Sequence, residues 1–418
     1  MSENSITGDL LIVGAGIAGI TAAVEAAETG ISVIIVEKNA YIGGKVAQFN
    51  KYFPKLCPPA CGLEINIRRL RNNPLVKLFT LAEVTQVSKE NEKYKVSLNI
   101  KPRYVNNRCT MCGDCVKVCP QVRKNDFNYN MDETSSIYVP FDNAYPERYI
   151  IDKDTCLGES CNECTDACKY SAIDLSEQEK VISIEAGSVI WATGWEPYDA
   201  NKLDLLGYGK YPDVITNVMM ERLSSVNGPT RGQILRPSDG EKVNSVAFVQ
   251  CAGSRDENHL AYCSSVCCMA SLKQTQYIRE QYPDAEIHIH YIDVRAEGLL
   301  EDFYRGVQKD EKIHFHRGKV AKVVKEDSTR KLAIAAEDSL TGKMIHTSVD
   351  LVVLATGMKP STEKIPVDKL LIDDDGFLKP DGNGYAGCGV VTKPKDVAST
   401  VREATGSVLN AIQKIRRN

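Results

Sequence analysis

Apolar and polar positions divide the chain into blocks. Asp9–Val13 is an apolar run of strand length, a helical pattern covers Ile20–Glu28 and stops at Gly30, and a second apolar run, Val33–Val36, closes on Glu37. Strand, turn, helix and strand within about thirty residues predict a βαβ unit. Residues 75–100 alternate as strands, whereas residues 104–175 carry little hydrophobic periodicity. Val181–Thr193 reads as strand again and ends in Ala192-Thr193-Gly194, an ending repeated at Ala355-Thr356-Gly357. Between these, Val246–Gln250, a turn over 251–264, a helix to about Tyr282 and a strand over 286–294 predict a second βαβ unit. Val397–Arg417 has the spacing of an amphipathic helix.

Composition narrows the picture. The 418 residues carry 51 Lys and Arg against 55 Asp and Glu, a formal net charge of -4, and 43% are hydrophobic. That suits two or three globular domains and excludes disordered, collagen-like and coiled-coil classes. A mildly acidic chain lacks the basic surface that general nucleic-acid binding requires. No apolar run approaches the roughly 18 residues that span a bilayer. The first residues form neither a basic nor an apolar leader, so a cytoplasmic location without a signal peptide is expected.

The first βαβ turn is Gly14-x-Gly16-x-x-Gly19. In that context Gly14 permits the tight turn, Gly16 lets the backbone approach a pyrophosphate, and Gly19 lets helix and sheet pack closely. The helix N-terminus offers free N–H groups to phosphate, and Glu37 is placed to accept ribose hydroxyls. A dinucleotide site follows. Beyond Gly43 and Gly44, prolines at 54, 58 and 59 make Tyr52–Cys61 an extended loop carrying Cys57 and Cys61.

Fifteen cysteines in a reducing compartment point to metal ligation or redox chemistry rather than a disulfide framework. Cys109-x2-Cys112-x2-Cys115-x3-Cys119-Pro has the spacing of bacterial [4Fe–4S] sites, and a zinc site would more often pair two CxxC units. Cys156-x4-Cys161-x2-Cys164-x3-Cys168 has a wider first gap and Lys169 in place of the proline. With the fourth ligand exchanged between sites, Cys109, Cys112, Cys115 and Cys168 would hold one cubane and Cys156, Cys161, Cys164 and Cys119 the other. Residues 104–175 are therefore expected to be a small inserted domain held by metal. A third group, Cys251, Cys263, Cys267 and Cys268, replaces the glycine fingerprint expected at the second βαβ turn. Its spacing leaves a third cluster and buried thiols both open. His288/His290 and His314/His316 alternate on probable strands, more simply as strand residues than as metal ligands.

Taken together these residues resemble the HdrA superfamily of heterodisulfide reductase proteins. Gln250–Gln274 (QCAGSRDENHLAYCSSVCCMASLKQ), Gly43-Gly44 with the following Phe-Pro and Cys-Pro loop, the two Ala-Thr-Gly turns, Ala386-Gly387-Cys388 and Lys393–Asp396 carry the resemblance over nearly the whole chain. The segments NKYFPKLCPPACGLEI and VITNVMMERL are most similar to the QmoA subgroup, flavoprotein subunits of the quinone-interacting membrane-bound oxidoreductase. The resemblance implies an α/β, thioredoxin-reductase-like flavoprotein fold with two dinucleotide domains and an inserted ferredoxin-like α+β domain over 104–175. The FAD domain would then comprise 1–103, 176–240 and 346–418, and a degenerate NAD-like domain 241–345.

It further implies FAD held by Gly14, Gly16, Gly19, Glu37, Lys38, Gly44 and Lys45, and lined by Thr193, Gly194, Gly387 and Cys388. Related flavin reductases have Asp where Cys388 stands. Cys251, Cys263, Cys267 and Cys268 match the ligands of an unusual [4Fe–4S] cluster near the flavin, and Lys273 a catalytic cation near flavin N5. The function implied is an oxidoreductase subunit relaying electrons between a membrane quinone pool and a soluble partner, adenylylsulfate reductase in sulfate metabolism. Flavin-based bifurcation or confurcation is an implied possibility. A membrane-anchored partner subunit would hold it at the inner face of the membrane. The alternative is an NAD(P)H-linked disulfide or heterodisulfide reductase subunit, which the lost second glycine fingerprint disfavours.

Overall fold

The computed structural model describes residues 5–326, 329–367, 370–380 and 385–417. The first unit opens with β1 (Ser5–Val13), α1 (Ile17–Glu28), β2 (Val33–Glu37), α2 (Pro59–Arg71), β3 (Val76–Thr80), β4 (Ala82–Glu90) and β5 (Lys93–Ile100). Within residues 101–179 lie α3 (Asp114–Val118), the short strands β6 (Val122–Lys124), β7 (Glu133–Ser135), β8 (Ile137–Tyr138) and β9 (Ile150–Ile151), and α4 (Glu163–Ala167). The chain returns through β10 (Lys180–Trp191) and leaves by β11 (Trp195–Pro197). The second unit holds β12 (Val214–Thr216), α5 (Asn217–Leu223), β13 (Ser245–Ala252), α6 (Cys267–Gln281), β14 (Glu286–Tyr291), α7 (Leu300–Gln308) and β15 (Ile313–Arg317). It continues with β16 (Val320–Lys325), β17 (Leu332–Glu337), β18 (Met344–Val349) and β19 (Leu351–Thr356). β20 (Met358–Pro360), β21 (Tyr385–Gly387) and α8 (Val397–Arg417) complete the first unit.

The first sheet runs β3-β2-β1-β10-β5-β4, with β21 also paired to β10. β1, β2 and β3 are parallel, as a βαβ crossover requires, and read as unbroken apolar runs where both faces are covered. β10 is long enough to serve β5 with its first half, antiparallel, and β21 with its last residues, parallel. Ile100 stands directly opposite Lys180 in that ladder, so the inserted segment leaves and rejoins the sheet at one point. Leu10, Ile12, Ile35, Ala22, Ala23, Ala26 and α8 residues Ala404, Val408 and Ala411 form the core between sheet and helices. α1 begins at Ile17, three residues before the periodic pattern, because Gly16 is already its N-cap.

The second sheet, β12-β19-β13-β14-β15, is wholly parallel, and β16-β17-β18 form a separate antiparallel layer. The repeated Ala-Thr-Gly endings have one explanation. Each terminates a strand of one unit, and the segments that follow, β11 and β20, pair antiparallel with Trp195 opposite Pro360. The two crossings between units thus lie side by side.

A cavity between a glycine turn and a buried ion pair

The glycine turn sits where β1 meets α1. Gly14 has φ +105°, and a Cβ there would lie 2.3 Å from the Ala192 carbonyl oxygen. A Cβ on Gly19 would lie 1.8 Å from the Gly14 carbonyl oxygen, so Gly19 serves helix–turn packing and does not face the cavity. Gly16 is different: the nearest atom to an added Cβ is Gly44 Cα at 3.9 Å, which leaves open space over the turn. No side chain caps the N-terminus of α1, so its first N–H groups are available to an anion.

Glu37 ends β2 with its side chain buried. Its carboxyl accepts the Ala15 N–H at 2.7 Å and the Asn39 N–H at 2.9 Å, and burial pushes its pKa up. The residue expected to receive ribose hydroxyls therefore also holds the glycine turn in shape. Lys38 and Lys45 reach Glu196 of β11 at 3.2 and 2.6 Å.

These groups border a cavity of about 710 Å³. Gly14, Gly16, Glu37, Lys38, Gly44, Lys45, Thr193 and Gly194 line one part of it, and Lys273 the far wall. Gly387 and Cys388 are not on the wall. Gly387 lies under Leu378 and Thr392, and Cys388 is fully buried, its N–H bonded to the Trp191 carbonyl and its thiol pushed to about 12 by burial.

Lys273 sits on α6, 3% exposed. Its ammonium is 2.9 Å from the Glu221 carboxyl on α5 and donates to the Lys51 carbonyl at 2.7 Å, leaving one of its three donors uncommitted. Glu221 also accepts from Gln274 (2.6 Å), the Asn50 N–H (3.0 Å) and the Tyr277 hydroxyl (3.2 Å). Desolvation lowers the Lys273 pKa, and Glu221 opposes that shift. Phe49 and Tyr277 rings flank the ammonium.

Sequence reasoning missed Glu221, Gln274 and Tyr277, and also Lys395, a buried cavity-wall lysine paired with Glu403 and donating to the Thr392 hydroxyl at 2.7 Å. Lys395 lay inside a segment already marked by resemblance. Glu221 offered only an acid among the apolar residues of VITNVMMERL.

The cysteines require a correction. Cys109, Cys112, Cys115 and Cys168 border one void, and Cys119, Cys156, Cys161 and Cys164 another, the groupings expected from ligand exchange. Yet among the described residues no group of three or more His, Cys, Asp or Glu side chains is arranged to hold a metal ion. The three [4Fe–4S] clusters expected at these positions and at Cys251, Cys263, Cys267 and Cys268, and the metal-held insert, are therefore not supported. Each void measures about 20 Å³, room for about one water. The sulfurs meet nearby backbone instead: Cys156 accepts from Gly158 N–H, Cys168 from Ala172 N–H and Cys263 from Ser265 N–H, while Cys267 and Cys268 donate to the carbonyls of Thr356 and Asp293. Burial pushes the Cys115 thiol to about 12 and Cys251 to about 11. The insert is organised by an apolar core of Tyr104, Val105, Ile137, Tyr149, Ile151 and Ile173. Arg222 ties it to both units, bonding Asn128 Oδ1 at 2.8 Å, the Gln48 carbonyl at 3.3 Å and the Asn227 carbonyl at 2.9 Å, with Phe127 against its guanidinium.

Residues 9–52 match the family model described as FAD dependent oxidoreductase. The chain is 38% identical to the HdrA component of the ferredoxin:CoB-CoM heterodisulfide reductase of Methanosarcina acetivorans, over 94% of this chain and 55% of that protein. It is 37% identical to the corresponding component of the H(2):CoB-CoM heterodisulfide,ferredoxin reductase of Methanothermobacter marburgensis, over 98% of this chain and 64% of that protein. The chain belongs to the HdrA-like oxidoreductase family. It spans about half to two thirds of the length of these HdrA relatives. They place it in the family at large and not specifically in the QmoA subgroup. Among solved structures, it resembles thioredoxin reductases from T. acidophilum (TM-score 0.55, 15% identity, 98% of each chain) and Lactococcus lactis (TM-score 0.54, 13% identity, 98% of this chain and 100% of that one). The HdrA-like chain thus has a thioredoxin-reductase-like fold with two dinucleotide-binding units and an additional inserted α+β domain. Among the described residues no helix is long and apolar enough to cross a membrane.

Proposed function

We propose that this chain is the flavin-binding, electron-transferring subunit of a heterodisulfide-reductase-type complex, acting with partner subunits on a disulfide. One observation carries the reading: a single cavity runs from the glycine turn and uncapped α1 N-terminus to the buried Lys273–Glu221 pair. The residues present fit FAD. The space over Gly16 and Gly44 would be closed by any Cβ-bearing pair, since a Cβ on Gly44 would lie 2.9 Å from Gly16 Cα. Gly14, Gly16, Glu37, Lys38, Gly44, Lys45, Thr193 and Gly194 would hold the cofactor, with Gly19, Gly387 and Cys388 packed behind. Bound FAD supplies exchange of one or two electrons. Lys273 contributes positive charge at the far wall, in a low-dielectric setting where a fixed cation stabilises added negative charge strongly. Glu221 and the Lys51 carbonyl keep that charge in place.

A second reading, a quinone-linked relay to adenylylsulfate reductase at the inner membrane face, is favoured by the two QmoA-like segments, which supply Lys51–Lys55, Cys57, Asn217, Val218 and Glu221 to the cavity wall. Nicotinamide entry is disfavoured at the second βαβ turn. Cys251 there has φ +56°, and a Cβ on Gly253 would lie 2.5 Å from the Tyr198 ring. The test is anaerobic: the protein should copurify with or take up FAD, bleach with dithionite and reoxidise on adding a disulfide, whereas NADH and NADPH should not bleach it. Failure to bind FAD would refute the proposal, and prompt bleaching by NADPH would restore the nicotinamide-linked form.

A further inference from the structure

Cys57 and Cys61 are both exposed, and Cys57 is the one cysteine among the described residues that borders the large cavity. We infer that the two form a thiol–disulfide exchange pair at the cavity mouth, acting on a small anionic disulfide. This rests on the flavin-dependent reading above.

Cys57 does not hang on a loose tip. Its carbonyl accepts the Tyr52 N–H at 2.7 Å, and the Leu56 N–H donates to the Tyr52 carbonyl at 2.9 Å, closing the loop on itself. Leu56 has φ +55°, a left-handed conformation costly for a residue with a side chain and held where the surrounding structure imposes it. Pro58 is extended (φ −65°, ψ 137°) and Pro59 starts α2, which places Cys61 in that helix's first turn. Pro59 and Leu63 are buried, with Leu63 against Gly43, so α2 is anchored on the glycine turn. On the other side the approach is open: a Cβ on Gly62 would meet nothing within 4 Å, and Ala60 and Gly62 are exposed. Lys55 and Lys364 also border the cavity, are exposed, and make no salt bridge among the described residues, which suits a negatively charged substrate.

The chemistry balances. The Cys57 thiolate attacks one sulfur of the substrate disulfide, that S–S bond breaks, and the departing thiolate takes a proton from water. The Cys61 thiolate then attacks the Cys57 sulfur of the mixed disulfide and releases the second substrate thiol, leaving a Cys57–Cys61 disulfide. One disulfide has been reduced to two thiols and one dithiol oxidised. Two electrons and two protons drawn from a reduced flavin restore the dithiol.

The experiment treats the anaerobic full-length protein with glutathione disulfide and reads the peptide covering 52–67 by mass spectrometry. Wild type should show a Cys57–Cys61 disulfide, Cys61→Ser a glutathione adduct on Cys57, and Cys57→Ser neither. Dithionite-reduced, flavin-loaded Cys57→Ser and Cys61→Ser should reoxidise with glutathione disulfide about tenfold more slowly or worse, at unchanged flavin content. Cationic cystamine should react more slowly than glutathione disulfide with wild type. Free Cys57 and Cys61 after treatment, or wild-type reoxidation by Cys57→Ser, would overturn the pair; faster reaction with cystamine would overturn the anionic preference. A protein that binds no flavin would refute the function proposed above, while the mass spectra would still judge the pair.

Discussion

Replacing Glu221 with Gln isolates the buried ion pair. Both side chains are 4% exposed. Removing one partner of such a pair leaves an uncompensated buried charge and costs about 3–5 kcal/mol. Glutamine preserves volume and one acceptor, so packing is not the cause. The pH dependence gives the signature. Desolvation already lowers the Lys273 pKa and Glu221 raises it, so Glu221→Gln lowers it further. Between the folded value and the unfolded value near 10.4, the unfolded chain holds more protons, so stability rises with pH in that window. The variant's deficit should therefore be largest near neutrality and shrink on alkaline titration, as Lys273 sheds its proton in the folded state. Urea unfolding of wild type, Glu221→Gln, Lys273→Met and the pair Glu221→Leu/Lys273→Met from pH 6.5 to 9.5 measures this. The double variant should lose less than the sum of the single ones, because no buried charge is left unpaired. A Glu221→Gln cost below about 1 kcal/mol, the size of an exposed pair, or a deficit flat across pH, would refute the reasoning.

Gly16→Val should abolish FAD retention with circular dichroism unchanged, since its side chain enters the open space over the turn; normal flavin content would contradict the assigned site. Gly19→Ala should instead prevent folding or lose several kcal/mol, about what severe overpacking costs, read by yield and urea midpoint. Acid should destabilise the protein through His288 and His290, whose pKa values are lowered to about 4 and about 3 by burial. The unfolded imidazoles bind protons below about 6.5, so stability falls from there towards pH 3; His290→Leu should flatten that fall in a pH-dependent melting series. Arg222→Met should loosen the insert and expose residues 101–179 to limited proteolysis before the rest of the chain.

What the sequence disclosed follows range of interaction. The Gly14–Gly19 turn, Glu37 and the two βαβ units are local patterns, and spacing alone placed them. Gly19 and Gly387 carry no surface signal that separates a glycine facing a ligand from one crowded by neighbours; only the backbone approach reveals it. Glu221 pairs with Lys273 across the packing of α5 on α6, a distance no periodicity encodes. Cysteine spacing grouped Cys109, Cys112, Cys115 and Cys168, which border one void, but the cluster that this spacing implied is not supported. It did not show how the sulfurs are directed or how little room they enclose.

The opposition of Ile100 and Lys180 makes the arrangement of residues 101–179 that of a hairpin whose loop is a whole domain. Closing a loop costs only slightly more as it lengthens, and here the two ends are already fixed by a ladder. The sheet is thus indifferent to what it carries at this edge. A lineage could exchange one inserted module for another here, or dispense with it, without re-evolving the two-unit scaffold; what would need to be rebuilt are the contacts that bind the insert to the units, among them Arg222 with Gln48 and Asn128, Arg103 with the Ala40 carbonyl, Tyr129 with Gln48 and Arg71 with Glu147.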